Sequence, residues 1–158
     1  MWQFSPQTEA KLKEIIENEP DIQGPHLFRY YNPRPSRVEA AETAMRELIG
    51  TKYCLAVNSC TSALVASYRA LGIGAGDEVI CSRFSSVATS ATVASSNAIP
   101  VIVDIDETLN IDPAAIDKAI TKRTKAIAAV HMRGAPAQMD AIMDIANKKG
   151  IPVVEDFA

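Results

Sequence analysis

The fold is decided by residues 78–105, which read EVICSRFSSVATSATVASSNAIPVIVDI. Two short apolar runs, residues 78–82 and 100–105, lie on either side of a segment that we predict to be helical despite its β-branched residues. Continuous apolar runs of this length are typical of strands that are buried on both faces of a parallel sheet. The stretch therefore predicts a strand–helix–strand unit.

The same alternation continues on both sides of this unit. Upstream, YCLAVN (residues 53–58) predicts a strand, and TSALVASYRAL (residues 61–71) predicts a helix that ends at Gly72. Downstream, the pattern predicts two further helices, at residues 112–120 and 139–150. It also predicts two further strands, at residues 124–131 and 151–156. Strands that alternate with helices predict a doubly wound α/β fold with a mostly parallel sheet. Ligands in such folds bind outside the carboxyl ends of the strands.

The N-terminal part of the chain has a different pattern. Residues 5–18 predict a helix, and a connection rich in proline and aromatic residues follows. Ser36 is the predicted cap of a second helix, which ends at Gly50. We therefore divide the chain into an N-terminal helix and arm, residues 1–35, and an α/β domain that begins at residue 36.

The composition argues against several classes of function. A net charge of −3 without a long run of one sign is not typical of a protein that binds nucleic acid or a membrane surface. Three cysteines without a CxxC pair and two histidines far apart predict neither a disulfide framework nor a metal site. No apolar stretch would span a bilayer, and the start resembles no secretory signal, so we expect a cytoplasmic protein.

A small polar run lies between the first predicted strand and its helix. It reads Asn-Ser-Cys-Thr-Ser and occupies residues 58–62. The N–H groups and the dipole at a helix N-terminus favour anions, and the hydroxyls of Thr61 and Ser62 would add donors for a phosphate. Taken alone, the run is explained better by an ordinary Ser/Thr helix cap. Cys60 lacks a nearby histidine as base, so we expect a structural role for its thiol.

Two further candidates follow predicted strands. Glu155 and Asp156 end the last strand, and adjacent strand residues point to opposite faces, so one carboxylate faces the crevice while the other turns away. A carboxylate in that position could pair with the cationic ring nitrogen of a cofactor; without other context it is an ordinary acid at a strand end. His131 follows the apolar run KAIAAV, residues 125–130, and could touch substrate or cofactor, but a structural histidine is the preferred interpretation.

Four motifs, in order and spacing, resemble the DegT/DnrJ/StrS family of sugar aminotransferases. They are AVNSCTSAL, LGIGAGDEVI, PVIVDID with LNIDPAAIDKAIT, and VHMRGAPAQMDAIMDIA with GIPVVEDFA. The resemblance implies the N-terminal half of a fold-type I enzyme that depends on pyridoxal 5'-phosphate (PLP), with residues 36–158 as part of its PLP-binding large domain. It also implies transfer of an amino group from glutamate or glutamine to a keto sugar or similar carbonyl substrate.

The resemblance assigns roles to individual residues. Thr61 and Ser62 fall on the contacts to the cofactor phosphate, and Cys60 stands where glycine is usual. Asp156 falls on the acid that pairs with the pyridine nitrogen. Ser86 occupies the position of the aromatic residue that stacks on the cofactor, so this stacking is expected to be lost, altered or supplied from elsewhere.

The family is dimeric, with active sites at the subunit interface. The aromatic and basic strip at residues 27–31 therefore makes Arg29 and Tyr31 candidates for reaching substrate or a neighbouring active site. The alternative is that the strip packs the N-terminal arm against the core, and the sequence leaves both interpretations open.

The resemblance places the Schiff-base lysine beyond the last residue of this sequence. We therefore expect a split enzyme that is inactive alone, in which a complementary C-terminal-half polypeptide carries the lysine and the assembly dimerises further. A truncated remnant is the alternative to a split enzyme. For function, the alternatives are a PLP-dependent dehydratase of the same family and a non-catalytic scaffold with the PLP fold.

Overall fold

The computed structural model describes residues 6–7, 10–11, 13–14 and 37–157, and the chain divides into two compact units, Met1–Ala56 and Val57–Ala158. In the first unit, the described residues between 6 and 14 are helical, and helix α1 spans Arg37–Ile49. Gly50 follows with φ +75°, and its N–H donates to the Arg46 carbonyl at 2.9 Å. The predicted end of this helix is therefore confirmed, whereas its predicted cap, Ser36, lies outside the described residues.

The second unit contains a parallel sheet. Four strands of the described part form it: β1 at Glu78–Ser82, β2 at Ile99–Val103, β3 at Thr124–Val130 and β4 at Val153–Asp156. Their order across the sheet is β2-β1-β3-β4, and every pairing is parallel. The register sets Val130 of β3 beside Asp156 of β4. The predicted α/β fold with a parallel sheet is confirmed.

Short helices connect these strands and precede them: α2 at Cys60–Ala70, α3 at Val87–Ser95, α4 at Pro113–Ala119 and α5 at Met139–Lys149. Three begin with a side-chain cap, supplied by Ser59, Ser86 and Asp112. The β-branched segment is helical as predicted, and its Thr92 hydroxyl donates to the Ala88 carbonyl at 2.7 Å. No helix in this part of the chain is long and apolar enough to cross a membrane.

Two apolar layers cover the two faces of the sheet, because alternate strand residues point in opposite directions. One layer joins α2 and α3 to the sheet through Leu64, Tyr68, Val79, Cys81, Val93, Ala126 and Ala128. The other joins α4 and α5 to it through Ile80, Ile116, Ile127, Ala129, Ile142 and Ala146. Helices therefore cover both faces, as the apolar strands predict, and the carboxyl ends of the strands lie along one edge.

The predicted strand at residues 53–58 is wrong. These residues form no regular secondary structure, and Tyr53 and Leu55 are 77% and 63% exposed. A strand requires a hydrogen-bonded neighbour, and none of the described strands pairs with this apolar segment. An apolar run alone indicates a strand only where a partner strand exists.

Candidate functional site

The carboxyl end of β4 presents two acids to opposite sides. Asp156 is only 7% exposed, and its side chain contacts Cys60 at the start of α2. Glu155 instead accepts a hydrogen bond from Nε2 of His131 at 3.2 Å. This is the opposite orientation that strand alternation predicts. The backbone fixes the strand end as well, because the His131 N–H donates to the Asp156 carbonyl at 3.0 Å.

The Cys60 thiol donates to Oδ1 of Asp156 at a Sγ–Oδ1 distance of 3.5 Å. Partial burial, this hydrogen bond and the charge of Asp156 all raise the pKa of the thiol. The thiol is therefore kept protonated at neutral pH, which opposes a role as a nucleophile.

A cavity of about 360 Å³ lies between α2 and the end of β4. Four residues of α2 line it at helical spacing, and four residues of the β4 end complete it: Cys60, Ala63, Leu64, Ser67, Val154, Glu155, Asp156 and Phe157. Small-molecule pockets typically measure about 300–1,000 Å³, so this volume suits a small cofactor.

A larger cavity of about 460 Å³ lies beside β2 and α4, at the other edge of the sheet. Its charged residues, Arg83, Asp104 and Lys118, are all exposed, and Arg83 and Asp104 form an ion pair with each other. The smaller cavity contains a buried carboxylate at a strand end, which is the chemically distinctive feature. We therefore take the smaller cavity as the candidate site.

The first turn of α2 is arranged for an anion. Ser59 Oγ accepts from the Ser62 N–H at 3.1 Å and donates to Ser62 Oγ at 3.0 Å. The first backbone bond of the helix runs from the Ala63 N–H to the Ser59 carbonyl, so the N–H groups of Cys60 and Thr61 precede the helical ladder. Together with the helix dipole, these N–H groups favour a phosphate.

The structure brings only some of the predicted cofactor residues together. Cys60 and Asp156 share the cavity, whereas Thr61 and Ser62 lie in the first helical turn without lining it. Ser62 is engaged in the cap that Ser59 forms, yet its hydroxyl accepts the bond from Ser59 and so retains its own proton to donate.

Ser86 caps α3 and does not line the cavity. Its Oγ accepts from the Ala88 N–H at 3.3 Å, and its side chain is exposed. Phe84, two residues earlier, is 42% exposed and does not line the cavity either. The aromatic ring that does line it belongs to Phe157, whose centroid lies 4.8 Å from that of His131.

His131 lies in a polar environment formed by the protein itself. Its ring is buried, and Nδ1 accepts from the Ala137 N–H at 3.0 Å. Nε2 must therefore carry the proton and donate to Glu155. Both ring nitrogens are bonded within the protein.

Two predicted candidates, Arg29 and Tyr31, lie outside the described residues. Sequence reasoning missed Ser67 and Phe157, which both line the cavity. Ser67 lies seven residues after Cys60, so the helical period would have placed both on one face. No comparable pattern marks Phe157.

The comparisons with known proteins agree on one family. A model described as the DegT/DnrJ/EryC1/StrS aminotransferase family matches residues 33–158. UDP-2-acetamido-2-deoxy-3-oxo-D-glucuronate aminotransferase of Pseudomonas aeruginosa is 49% identical over 122 residues, which cover 77% of this chain and 34% of that protein. L-glutamine:scyllo-inosose aminotransferase of Streptomyces griseus is 42% identical over 129 residues, which cover 81% of this chain and 30% of that protein.

The solved structures agree with the family match. NtdA from Bacillus subtilis, with bound cofactor PMP, has a TM-score of 0.78 and 33% identity, and the match covers 97% of this chain and 34% of that one. The predicted fold class, part of the large domain of a fold-type I PLP-dependent transferase, is thus confirmed. The chain spans about a third of the length of the curated relatives that it matches.

Proposed function

Because the chain belongs to the DegT/DnrJ/EryC1/StrS aminotransferase family, we propose that it forms part of a PLP-dependent aminotransferase. The assembled enzyme transfers an amino group from glutamate or glutamine to a keto sugar or a related cyclic ketone. The names of two relatives support these classes, since one names glutamine and scyllo-inosose and the other names a UDP-linked 3-oxo sugar acid.

The observation that carries this proposal is the buried carboxylate of Asp156 beside the cavity at the start of α2. A buried carboxylate at a strand end pairs favourably with a cationic partner. A protonated pyridine ring is such a partner, and a helix N-terminus suits the phosphate of the same molecule. The chemistry of these groups therefore fits PLP.

Each group of this chain has a defined task in the proposed site. PLP, when bound, carries the amino group and serves as an electron sink. Asp156 holds the proton at the ring nitrogen, which keeps the ring cationic. The N–H groups of Cys60 and Thr61, with the Thr61 and Ser62 hydroxyls, bind and orient the phosphate. Leu64 and Val154 form apolar walls that exclude water.

The amine that moves the proton comes from outside these residues in our proposal. No lysine within the described ranges lines the cavity, although an aminotransferase needs one there. We propose that a complementary polypeptide supplies this lysine and that the assembly dimerises. The other arrangement is a continuation of the same polypeptide.

Co-expression with the adjacent reading frame tests the proposal. We expect the two chains to co-purify and to absorb between ~330 and ~430 nm, with a band that borohydride reduces. This chain expressed alone is the control and should lack the band. If a single longer polypeptide carries the band, the partner chain is wrong and the aminotransferase function stands. A complex without bound cofactor and without transamination from glutamate or glutamine would instead identify a scaffold.

A further inference from the structure

The contact between Cys60 and Asp156 is a feature that the proposed function leaves unexplained. It joins residues 96 positions apart and connects the first turn of α2 to the last residue of β4. The contact therefore engages the acid that the proposed site depends on most.

We propose that Cys60 is a positioning residue for Asp156, whose thiol holds the Oδ1 end of the carboxylate and so sets its rotation with respect to the cavity. This inference rests on the proposed function, in which Asp156 faces the ring nitrogen of the cofactor. The rotation of an aspartate carboxylate about its terminal bond is soft, so a hydrogen bond to one of its oxygens restricts it.

A thiol is well suited to this task because it is a weak donor. A charged donor at the same place would pair with the carboxylate and compete with a cationic ring for it. The thiol orients the carboxylate without neutralising its charge. Small size matters as well, since Cys60 also belongs to the cavity wall.

The titratable groups that surround this thiol make its reactivity a specific reporter of the contact. They are Asp156 on β4, which contacts it, Tyr68 on α2, and Glu155, which lines the same cavity but is bonded to His131; Cys81 on β1 lies next to Tyr68. Burial raises the pKa of Tyr68 and raises that of Cys81 to about 12, so both stay protonated below about pH 10. Asp156 is thus the charge next to Cys60 whose removal should change how the thiol titrates.

The first experiment measures the rate at which iodoacetamide alkylates Cys60 as a function of pH. It uses the cofactor-free assembled protein that carries Cys54→Ser, because Cys54 is also partly accessible. We expect Asp156→Asn to move the midpoint of the pH profile to lower pH, because it removes the charge and the hydrogen bond that raise the pKa of the thiol. The matched control is Asp104→Asn, which removes the same charge after β2. Three strand spacings of about 4.8 Å separate β2 from β4, more than a Debye length of about 10 Å at 0.1 M salt, so its midpoint should not move.

The second experiment titrates the same protein with pyridoxamine phosphate. We expect Cys60→Ala to raise the dissociation constant about fivefold, the equivalent of one ordinary hydrogen bond, and Cys60→Ser to restore it because serine is again a donor. A purely space-filling role would not distinguish serine from alanine in this way.

The outcomes separate the inference from the proposed function. An unchanged alkylation midpoint in Asp156→Asn, or equal affinities for Cys60→Ala and Cys60→Ser, would overturn the positioning role in a protein that still binds pyridoxamine phosphate. A Cys54→Ser protein that does not bind pyridoxamine phosphate at all would instead overturn the proposed function, and the positioning role with it.

Discussion

Two neighbouring acids at the end of β4 line the same cavity but differ in burial and in hydrogen-bond partners. Asp156 is almost fully buried, borders the cavity and is touched by a weak thiol donor. Glu155 is 41% exposed at its side chain and accepts from a histidine that is itself bonded on both sides. Strand alternation sends adjacent carboxylates to different environments, so one position is available for chemistry while the other serves the architecture.

Glu155 belongs to a network of hydrogen-bonded polar groups. His131 links Glu155 to the loop after β3, and the Asn110 side chain forms hydrogen bonds to the same loop. Asn110 accepts from the Met132 N–H at 2.9 Å and donates to the carbonyls of Ala135 and Pro136. Such networks rigidify a structure, whereas the buried Asp156 carboxylate contacts only a weak donor of the cavity wall among the bonds described above. The comparison predicts that damage to one side lowers activity and damage to the other lowers stability.

The largest expected effect is on the side of Asp156. Asp156→Asn should reduce transamination by the assembled enzyme about a hundredfold, because a charge-assisted hydrogen bond of up to about 3 kcal/mol is lost at the cofactor ring. Steady-state kinetics with glutamine as donor measure this loss. Asp104→Asn, an exposed acid that follows a different strand, is the control and should stay close to wild type. Activity retained in Asp156→Asn would remove the distinction between the two acids.

Sequence reasoning reached one half of this comparison. The apolar runs predicted the four paired strands, and the pattern at residues 112–120 predicted a helix where α4 lies, because these are local signals. The alternation of Glu155 and Asp156 was also predictable from strand geometry. The Cys60–Asp156 contact was not, since it depends on how α2 packs against β4. The strand expected at residues 53–58 failed for the same reason, because pairing is not a local property.

The next largest effect is expected at Asn110, which is 1% exposed. Asn110→Ala leaves the Met132 N–H and the Ala135 carbonyl without their partner, which should lower the free energy of unfolding by about 3 kcal/mol. Urea unfolding measures the change. Asn147→Ala on the exposed face of α5 is the matched control, with an expected change within about 0.5 kcal/mol. Equal losses in both variants would refute the proposed support of the loop by Asn110.

A smaller loss of stability is expected at His131. His131→Ala removes the acceptor of the buried Ala137 N–H, which should cost about 2 kcal/mol. His131→Asn carries a side-chain oxygen that can replace the acceptor and should recover part of that loss. Thermal or urea unfolding of the three proteins checks the order. If the His131→Ala protein unfolds like wild type but does not bind pyridoxamine phosphate, the histidine belongs to the binding site. The assignment of His131 to stability alone would then be wrong.

The smallest expected effect concerns Asp106, which extends the network beyond Asn110. Hydrogen bonds from Thr108, above all from its hydroxyl, and from Gln138 hold the pKa of this carboxyl below its ordinary value. A carboxyl whose pKa is lower in the folded than in the unfolded chain stabilises the fold above the unfolded value, about pH 4, and this contribution is lost as pH falls further.

Asp106→Asn should therefore flatten the loss of stability below about pH 4, with Asp144→Asn on the exposed face of α5 as control. The comparison of urea midpoints at pH 7 and pH 3 measures it, and a loss as steep as in wild type would show that the bonds to Asp106 do not stabilise its charged form. Because this carboxyl is largely solvated, we expect this effect to be the weakest of the four. Its direction still shows whether the hydrogen bonds to Asp106 stabilise the charged form of the carboxyl.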